Sequence, residues 1–383
     1  MRDIPWSSRC FLSCFLAVNV LGGFSAPAVG YAEAPATTGL VPEQAYEALD
    51  GFLQDQIDAL GVPGAAIVVV QHGVQVHSAA FGRADDSGRP MTAQTPVLLA
   101  STSKSLTAIA VMQQVEAGRL ELDEPVRTYL PWFTLNDNRT SAITVRHLLH
   151  QTSGMTSRDT AFEASDAQGP EALEEGVRAL SGSPLAGSPG EAFGYANANY
   201  NILGLLVQTV ASQPFGDYMK QYVFEPLDMA HSHPTRAAAR LDNVAAGYSL
   251  WFGSFWRPTD VPAPTTGMPS TTMYSSAEDM GQVLIALLNQ GRYGDDRILQ
   301  PESVEAMFET RVPVDESMGY AMGWFTRPLP IRLVESADPS GQPDPERELP
   351  LLLEHQGRVG QLAHLPGDDS SLRHWRRPGH QRQ

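Results

Sequence analysis

The sequence predicts an α+β fold, with an antiparallel sheet built from both chain ends, flanking helices and an inserted helical lobe. A β-branched run followed by an alternating run, Pro63 to Gly82, predicts an early hairpin. Helical apolar spacing dominates the middle of the chain, and strand patterns return over 318–325 and 349–357. A chain of 383 residues is long enough for one large domain or two lobes.

The individual elements follow from local patterns. Apolar residues recur at helical spacing from Glu43 to Leu60, which predicts an amphipathic helix before the hairpin. The hairpin is expected to turn at His72-Gly73. A helix that starts near Ser101 is expected to end at Gly118, because glycine is common just beyond helix C-termini. Further helices are predicted over 145–150, 171–180, 199–210, 215–223 and 277–289.

The first 32 residues have the features of an export signal. Arg2 and Arg9 precede an apolar stretch, and the small residues Ala28 and Ala32 fit the small-x-small rule for cleavage. Residues 33–41 form a predicted linker to the main domain. We therefore expect an exported protein, periplasmic or extracellular, with an uncleaved membrane anchor as the alternative.

Charge and cysteine content exclude several classes of function. The net charge is -17, and removing residues 1–32 takes away two Arg and one Asp, which gives -17 minus 1, or -18. Such a chain is a poor partner for nucleic acid or an anionic membrane surface. Both cysteines, Cys10 and Cys14, lie in the predicted signal, so neither a disulfide framework nor a thiol nucleophile is expected.

One of only two lysines in the chain stands in a distinctive place. The chain has 26 basic residues and its lysines are Lys104 and Lys220, so 26 minus 2, or 24, are arginine. Lys104 follows Ser101 by three residues, which puts both on one face of the predicted helix. A desolvated lysine can lose its charge and accept the serine proton, whereas a guanidinium cannot. The alternative is a capping serine followed by a surface lysine.

Two further motifs follow in order along the chain. Tyr195 and Asn197 form a Tyr-x-Asn motif between a Gly/Ser/Pro-rich loop and an apolar helix, where an aromatic plug with an Asx cap is the alternative. His355 and Gly357 form a His-x-Gly motif after an apolar strand. A strand edge with a glycine lets a substrate backbone approach and supplies an oxyanion donor. A single histidine there is otherwise structural.

With these three motifs in order, the chain resembles the serine β-lactamase and penicillin-binding-protein superfamily, on the branch of class C β-lactamases, D-Ala-D-Ala carboxypeptidases and esterases. That family carries Ser-x-x-Lys, then Tyr-x-Asn, then Lys/His-x-Gly. The resemblance extends to the stretches GRLELDEPVRTYLPWF, ITVRHLLHQTSGM, VFEPLDMAHS, YSSAEDM and MGYAMGW, and the predicted domain covers residues 42–365.

The resemblance implies a mechanism and a fold, β-lactamase-like α+β. Ser101 would attack a carbonyl to form an acyl-enzyme, while Lys104 and Tyr195 share general-base work. The N–H groups of Ser101 and Arg358 would form the oxyanion hole. Four residues are expected to contact substrate: Asn197, His355, Gly357 and Arg358. The family needs no metal and no cofactor.

Histidines elsewhere in the chain do not suggest a metal site. His147 and His150 are expected to be packing residues. His231 and His233 have the spacing of a ligand pair, but no third ligand is evident in the sequence.

The expected function is a secreted serine hydrolase acting on β-lactams, D-amino-acid peptides or esters. A peptidoglycan D-Ala-D-Ala carboxypeptidase is an alternative, and a non-catalytic penicillin-recognising or wall-binding protein is another. His355 stands where true β-lactamases carry lysine, a feature more typical of the esterase and peptidase-like members. The Gly-x-Ser-x-Gly motif is absent, which argues against an α/β-hydrolase.

The end of the chain departs from the family. After Gly357 only 26 residues remain, and residues 366–383 form an atypical polar tail. The family continues with further strands and an apolar C-terminal helix. We therefore expect the C-terminal part of the fold to be incomplete, the edge strand that carries His355 to be unpaired, and stability and activity to be impaired.

Overall fold

The computed structural model describes residues 14–19, 43–157, 169–251, 255–259, 263–328 and 351–357. The helices are α1 Glu43–Leu60, α2 Ser103–Glu116, α3 Val126–Tyr129, α4 Val145–Leu149, α5 Ala172–Ala179, α6 Asn197–Ala211, α7 Phe215–Met219, α8 Arg236–Leu241, α9 Ala277–Leu288 and α10 Pro301–Glu309. The helices predicted from apolar spacing are therefore confirmed, with small shifts at their ends.

The strands are mostly short. They are β1 Cys14–Asn19, β2 Gly64–Gln71, β3 Val74–Gly82, β4 Val97–Leu98, β5 Tyr248–Trp251, β6 Phe255–Pro258, β7 Tyr274–Ser275, β8 Arg292–Tyr293, β9 Asp296–Arg297, β10 Val312–Pro313, β11 Gly319–Tyr320, β12 Phe325–Pro328 and β13 Leu351–Gly357. The predicted hairpin and the returning strands are thus present.

The core lies around α2 and α6, which pack against each other. The first ten residues of α2 are all buried, so this helix is enclosed on every side instead of along a single stripe. Its residues are small or apolar, and Lys104 is the charged exception in this buried part. On α6 every residue from Ala198 to Val207 is buried. The two helices therefore form a rigid support for the side chains at their N-terminal ends.

The early hairpin forms because its turn suits the twist of the strands. His72 and Gly73 have φ angles of 51° and 73°, the positive pair that two-residue hairpin turns require. β2 and β3 then pair in antiparallel register from Gly64 opposite Gly82 to Gln71 opposite Val74. Helix α1 packs against β3, where the Tyr46 ring stacks on His77 at 4.9 Å.

The prediction of one antiparallel sheet built from both chain ends is confirmed, because β1 and the C-terminal strands share a sheet, but the placement of the early hairpin in that sheet is wrong. Within the described residues, β2 and β3 form a two-stranded sheet of their own. The larger sheet has the order β1-β13-β12-β11-β10. β13 pairs with β12 through residues 351–354 on one side and with β1 through residues 352–357 on the other, and the hairpin pairs with neither edge.

The prediction that the strand carrying His355 lacks a neighbour is also wrong. β1, which lies inside the predicted export signal, pairs with the whole of β13 except its first residue, from Cys14 opposite Gly357 to Asn19 opposite Leu352. An apolar six-residue segment is long enough to satisfy the backbone groups of that edge. Within the described residues, a segment of the predicted signal therefore occupies the edge of β13 opposite β12.

No helix within the described ranges is long and apolar enough to span a membrane.

Candidate active site

Ser101 lies in a short turn that leads into the central helix. A 3₁₀ turn, Ala100–Thr102, joins β4 to α2. Ala100 has a φ of 49°, a left-handed conformation that is costly for a residue with a Cβ. Backbone strain of this kind is often found at functional sites. The turn holds Ser101, which is 8% exposed, near the N-terminus of α2, where N–H groups and the helix dipole favour negative charge.

Lys104 is buried completely, with an exposure of 0%. Its Nζ donates to Asn197 Oδ1 at 2.8 Å, to the Ser270 carbonyl at 2.8 Å and to Ser101 Oγ at 3.3 Å. Burial lowers the pKa of Lys104 well below the ordinary lysine value, because a charged amine loses its hydration there. Ser101 and Lys104 are in contact, as their spacing predicted. The alternative, in which Lys104 lies at the surface, is wrong because Lys104 is buried.

The three oxygens around Nζ suit a neutral amine. A neutral amine has two N–H groups and one lone pair. The two acceptors at 2.8 Å, Asn197 and Ser270, can take both N–H groups, and the lone pair is then left for the Ser101 hydroxyl at 3.3 Å. The arrangement can therefore accept a proton from Ser101.

The Ser270 carbonyl is a part of the site that the sequence did not reveal. It belongs to a π-helical turn, Met268–Thr272, that is held against α2 by two further bonds. Thr107 Oγ1 donates to the Pro269 carbonyl at 2.7 Å, and the Met273 N–H donates to Ser103 Oγ at 3.3 Å. A backbone acceptor has no residue signature, so no motif could have indicated it.

Glycine at position 204 brings α6 close to this turn. A Cβ on Gly204 would lie 2.1 Å from Cγ of Pro269, so any larger residue would push the turn away from α6. The distance from the Ser270 carbonyl to Lys104 therefore depends on Gly204.

Tyr195 stands beside Lys104, two residues before Asn197, the first residue of α6. The Lys104 Nζ lies 4.9 Å from the centroid of the Tyr195 ring, and that ring stacks on Phe325 of β12 at 6.2 Å. Loss of solvent raises the pKa of the Tyr195 hydroxyl, and a hydrogen bond with the Ser101 side chain offsets only part of that effect. This shift favours the neutral phenol form of Tyr195, and the general-base role expected from the family remains a prediction.

An aromatic wall adjoins Tyr195. It includes Phe193, Tyr320 and Phe325, whose rings lie 4.9 to 6.4 Å apart. Tyr320 donates to the Tyr200 hydroxyl at 3.3 Å, and Tyr200 donates to the Leu149 carbonyl at 2.9 Å. These aromatic neighbours of the site were not singled out from the sequence, because isolated aromatics read equally well as core residues.

The strand with the His-x-Gly motif comes close to the nucleophile turn. β13, which carries His355 and Gly357, contacts the turn Ala100–Thr102, so this strand lies beside the turn that holds Ser101. Arg358 lies outside the described residues. The substrate contacts of His355, Gly357 and Arg358, and the second oxyanion donor, remain predictions.

The other histidines have structural surroundings. His231 Nδ1 and His233 Nε2 lie 2.9 and 2.7 Å from the same oxygen of Asp242. Over the part of the chain that the structure describes, no group of three His, Cys, Asp or Glu side chains is arranged to hold a metal ion. His147 caps α4 through its ring, and burial lowers the pKa of His150 to about 4.

The fold and these side chains define a β-lactamase-like protein. The sequence pattern of the β-lactamase family matches residues 49–371, so the chain belongs to that family. The resemblance inferred from the three motifs is thereby confirmed.

Relatives of known name support the same assignment. Protein flp of Staphylococcus aureus (strain COL) is 30% identical over 281 residues, which is 73% of this chain and 55% of that protein. PbpX of Bacillus subtilis (strain 168) is 28% identical over 280 residues, 72% of this chain and 65% of that protein. The chain thus spans little more than half the length of flp.

A solved structure is similar as well. The octameric penicillin-binding protein homologue from Pyrococcus abyssi superposes with a TM-score of 0.64 at 28% identity, covering 74% of this chain and 65% of that one. The α+β, β-lactamase-like fold expected from the motifs is therefore confirmed, apart from the strand pairing corrected above.

Proposed function

We propose that this chain is a serine hydrolase that acts through an acyl-enzyme on Ser101. The observation that carries the proposal is the buried Lys104 amine, whose Nζ is 3.3 Å from Ser101 Oγ and has closer acceptors for its two remaining N–H groups. A surface lysine or a capping serine would need none of these contacts. Membership of the β-lactamase family supports the same chemistry.

The proposed first step is attack on a carbonyl carbon. Ser101 Oγ forms a bond to that carbon while its proton passes to the Lys104 amine, and the carbonyl π electrons move to the oxygen. The N–H of Ser101 stabilises this oxyanion, and by family analogy the N–H of Arg358 is the second donor. No cofactor or metal enters this step.

The next steps release the two products. The bond between the carbonyl carbon and the leaving oxygen or nitrogen breaks, and the leaving group takes the proton. Tyr195 can relay this proton, because its phenol gives a proton to the leaving group and takes the former Ser101 proton from the charged Lys104 amine, which becomes neutral again. Water then attacks the acyl-enzyme, the acid departs, and Ser101 regains its proton.

The substrate class within this chemistry is a β-lactam, a D-amino-acid peptide or an ester. We place esters first, because His355 stands at the family's lysine position. We also propose export to the periplasm or outside the cell, on the evidence of the signal-like residues 1–32.

Purified native protein should be tested against nitrophenyl esters, nitrocefin and D-Ala-D-Ala peptides, with Ser101→Ala as the matched control. We expect ester hydrolysis that the variant lacks, and a fluorophosphonate adduct on the peptide that contains Ser101. Slow labelling by penicillin without turnover of any substrate would instead favour the non-catalytic penicillin-recognising protein.

A further inference from the structure

Gln151 has a backbone conformation that its residue type does not favour. It follows α4 with a φ of 59°. The Gln151 N–H donates to the Leu148 carbonyl at 3.2 Å and the Thr152 N–H donates to the His147 carbonyl at 2.8 Å, the bonds of a Schellman motif. Glycine is the usual residue at this position. A residue with a Cβ is strained there, which points to a function for the Gln151 side chain.

The Gln151 side chain is buried completely and binds the start of α6. Its Oε1 accepts from the Ala196 N–H at 3.0 Å and from Asn199 Nδ2 at 2.5 Å. Ala196 is the residue between Tyr195 and Asn197. One side-chain oxygen therefore fixes the middle of the Tyr-x-Asn motif.

The same segment also holds the residue before the motif. The Gln151 carbonyl accepts from the Gly194 N–H at 2.8 Å, and Ser153 Oγ donates to Asn199 Oδ1 at 2.6 Å. A Cβ on Gly194 would lie 2.8 Å from the Met155 carbonyl, so the two segments touch with no space between them. Tyr195 is thus anchored on both sides by residues 151–155.

We propose that Gln151 is a positioning residue of this site: its side-chain oxygen holds the Tyr195–Asn197 turn so that the Tyr195 hydroxyl reaches Ser101 and Asn197 Oδ1 reaches Lys104. The proposal rests on the proposed function. Gln151 contacts neither Ser101 nor Lys104; besides the turn, its side chain is hydrogen-bonded to the Tyr320 hydroxyl, and the Tyr320 ring lies edge-on to Tyr195.

Loss of the Gln151 side-chain acceptor should displace the Tyr195–Asn197 turn. Without the acceptor, the Ala196 N–H and the Asn199 amide lose their partner and the turn can shift. Tyr195 and Asn197 would move together, because both flank Ala196. Misplacement of catalytic groups by about 1 Å costs on the order of 100-fold in rate. We therefore expect kcat to fall about 10- to 100-fold, with KM changed by less than about threefold.

Two variants of equal size separate the acceptor from the packing. Gln151→Met keeps the length and removes the acceptor, whereas Gln151→Glu keeps an oxygen that accepts from both donors. Each is compared with the native chain in ester hydrolysis, in thermal unfolding and in hydrogen–deuterium exchange of peptides that span 194–199. Gln151→Gly, which suits the left-handed backbone, replaces Gln151→Met if that variant does not fold.

The proposal expects faster exchange of the Ala196 amide and a lower kcat in Gln151→Met, with both restored in Gln151→Glu. It also expects the loss in kcat to shrink in a Tyr195→Phe background, since the two residues would act through one turn. Unchanged exchange at Ala196, or a full additional loss beside Tyr195→Phe, would overturn it. If the native chain hydrolyses no ester, the proposed function is wrong, and the exchange at Ala196 still decides whether Gln151 holds the turn.

Discussion

The two halves of the candidate site are held in place in different ways. The helical half consists of Ser101, Lys104 and the Tyr-x-Asn turn, which side-chain hydrogen bonds tie together within the buried core. The strand half is β13, which is held by backbone pairing to β12 and β1. The proposed nucleophile Ser101 and its proposed base Lys104 are therefore held by core packing, whereas the position of β13 depends on the strands that pair with it.

Because of this difference, substitutions in the two halves should affect catalysis and the fold differently. Changes in the helical half should abolish chemistry while the fold survives, because the helices around it stay packed. Changes in the strand half should loosen one wall of the site and leave the nucleophile reactive. The predictions below test that division, from the largest expected effect to the smallest.

The largest effect is expected from the nucleophile and its base. Ser101→Ala removes the atom that forms the acyl bond, and Lys104→Arg keeps a charge that cannot accept a proton. Both should lower ester hydrolysis by about 10⁴-fold or more, as losses of a nucleophile or its base do in serine hydrolases. Initial rates with a nitrophenyl ester measure this. Near-native turnover in Lys104→Arg would remove the lysine from proton transfer.

A smaller loss is expected from Tyr195→Phe. Phenylalanine keeps the stacking on Phe325 and removes only the hydroxyl that exchanges protons. General acid–base groups contribute about 10²- to 10⁴-fold, so kcat should fall by roughly 10²- to 10³-fold with KM little changed. Steady-state kinetics separate the two parameters. If only KM rose, Tyr195 would be a binding residue and the aromatic wall a substrate surface.

The sequence predicts those parts of the site whose residues lie close together along the chain. Ser101 and Lys104 are one helical turn apart, so their contact could be inferred from spacing alone. The turn at His72-Gly73 is equally local, and the hairpin was predicted correctly. The Ser270 carbonyl could not be found in this way, because a backbone acceptor has no residue signature and its position depends on the packing of Pro269 against Gly204.

Pairing between distant strands was the least predictable part of the fold. The strand patterns over 318–325 and 349–357 are visible in the sequence, but which edges meet depends on every other segment that competes for them. β1 reads as the apolar part of an export signal, so nothing in its own pattern indicated that it pairs with β13. Gln151 escaped notice for a related reason, since its strained φ appears only in the folded chain.

Activity should depend on pH through the helical half. Burial lowers the pKa of Lys104, and the base form of the lysine is the neutral amine. The value of kcat/KM should therefore rise with pH up to a midpoint well below the ordinary lysine value, and it should fall about tenfold for each pH unit below that midpoint. A pH–rate profile of the native protein, with its stability checked at each pH, measures this rise of kcat/KM. A midpoint near the ordinary lysine pKa would mean that Lys104 is solvated in solution.

The smallest effect is expected in the strand half, from removal of residues 1–32. That deletion takes β1 from the edge of β13: residues 352–354 keep their pairing with β12, whereas His355, Gln356 and Gly357 lose the strand that pairs with them. Loss of a whole oxyanion donor costs roughly 10²- to 10³-fold, and β13 stays attached to β12 through residues 351–354, so kcat should fall by several-fold only. The melting temperature should fall by a few degrees, while fluorophosphonate still labels Ser101.

Deletion of residues 1–13, which spares β1, is the matched control and should behave like the full chain. Equal melting temperatures and rates for the two deletions would show that β1 contributes nothing to the site, and that β13 is held by β12 and the nucleophile turn alone.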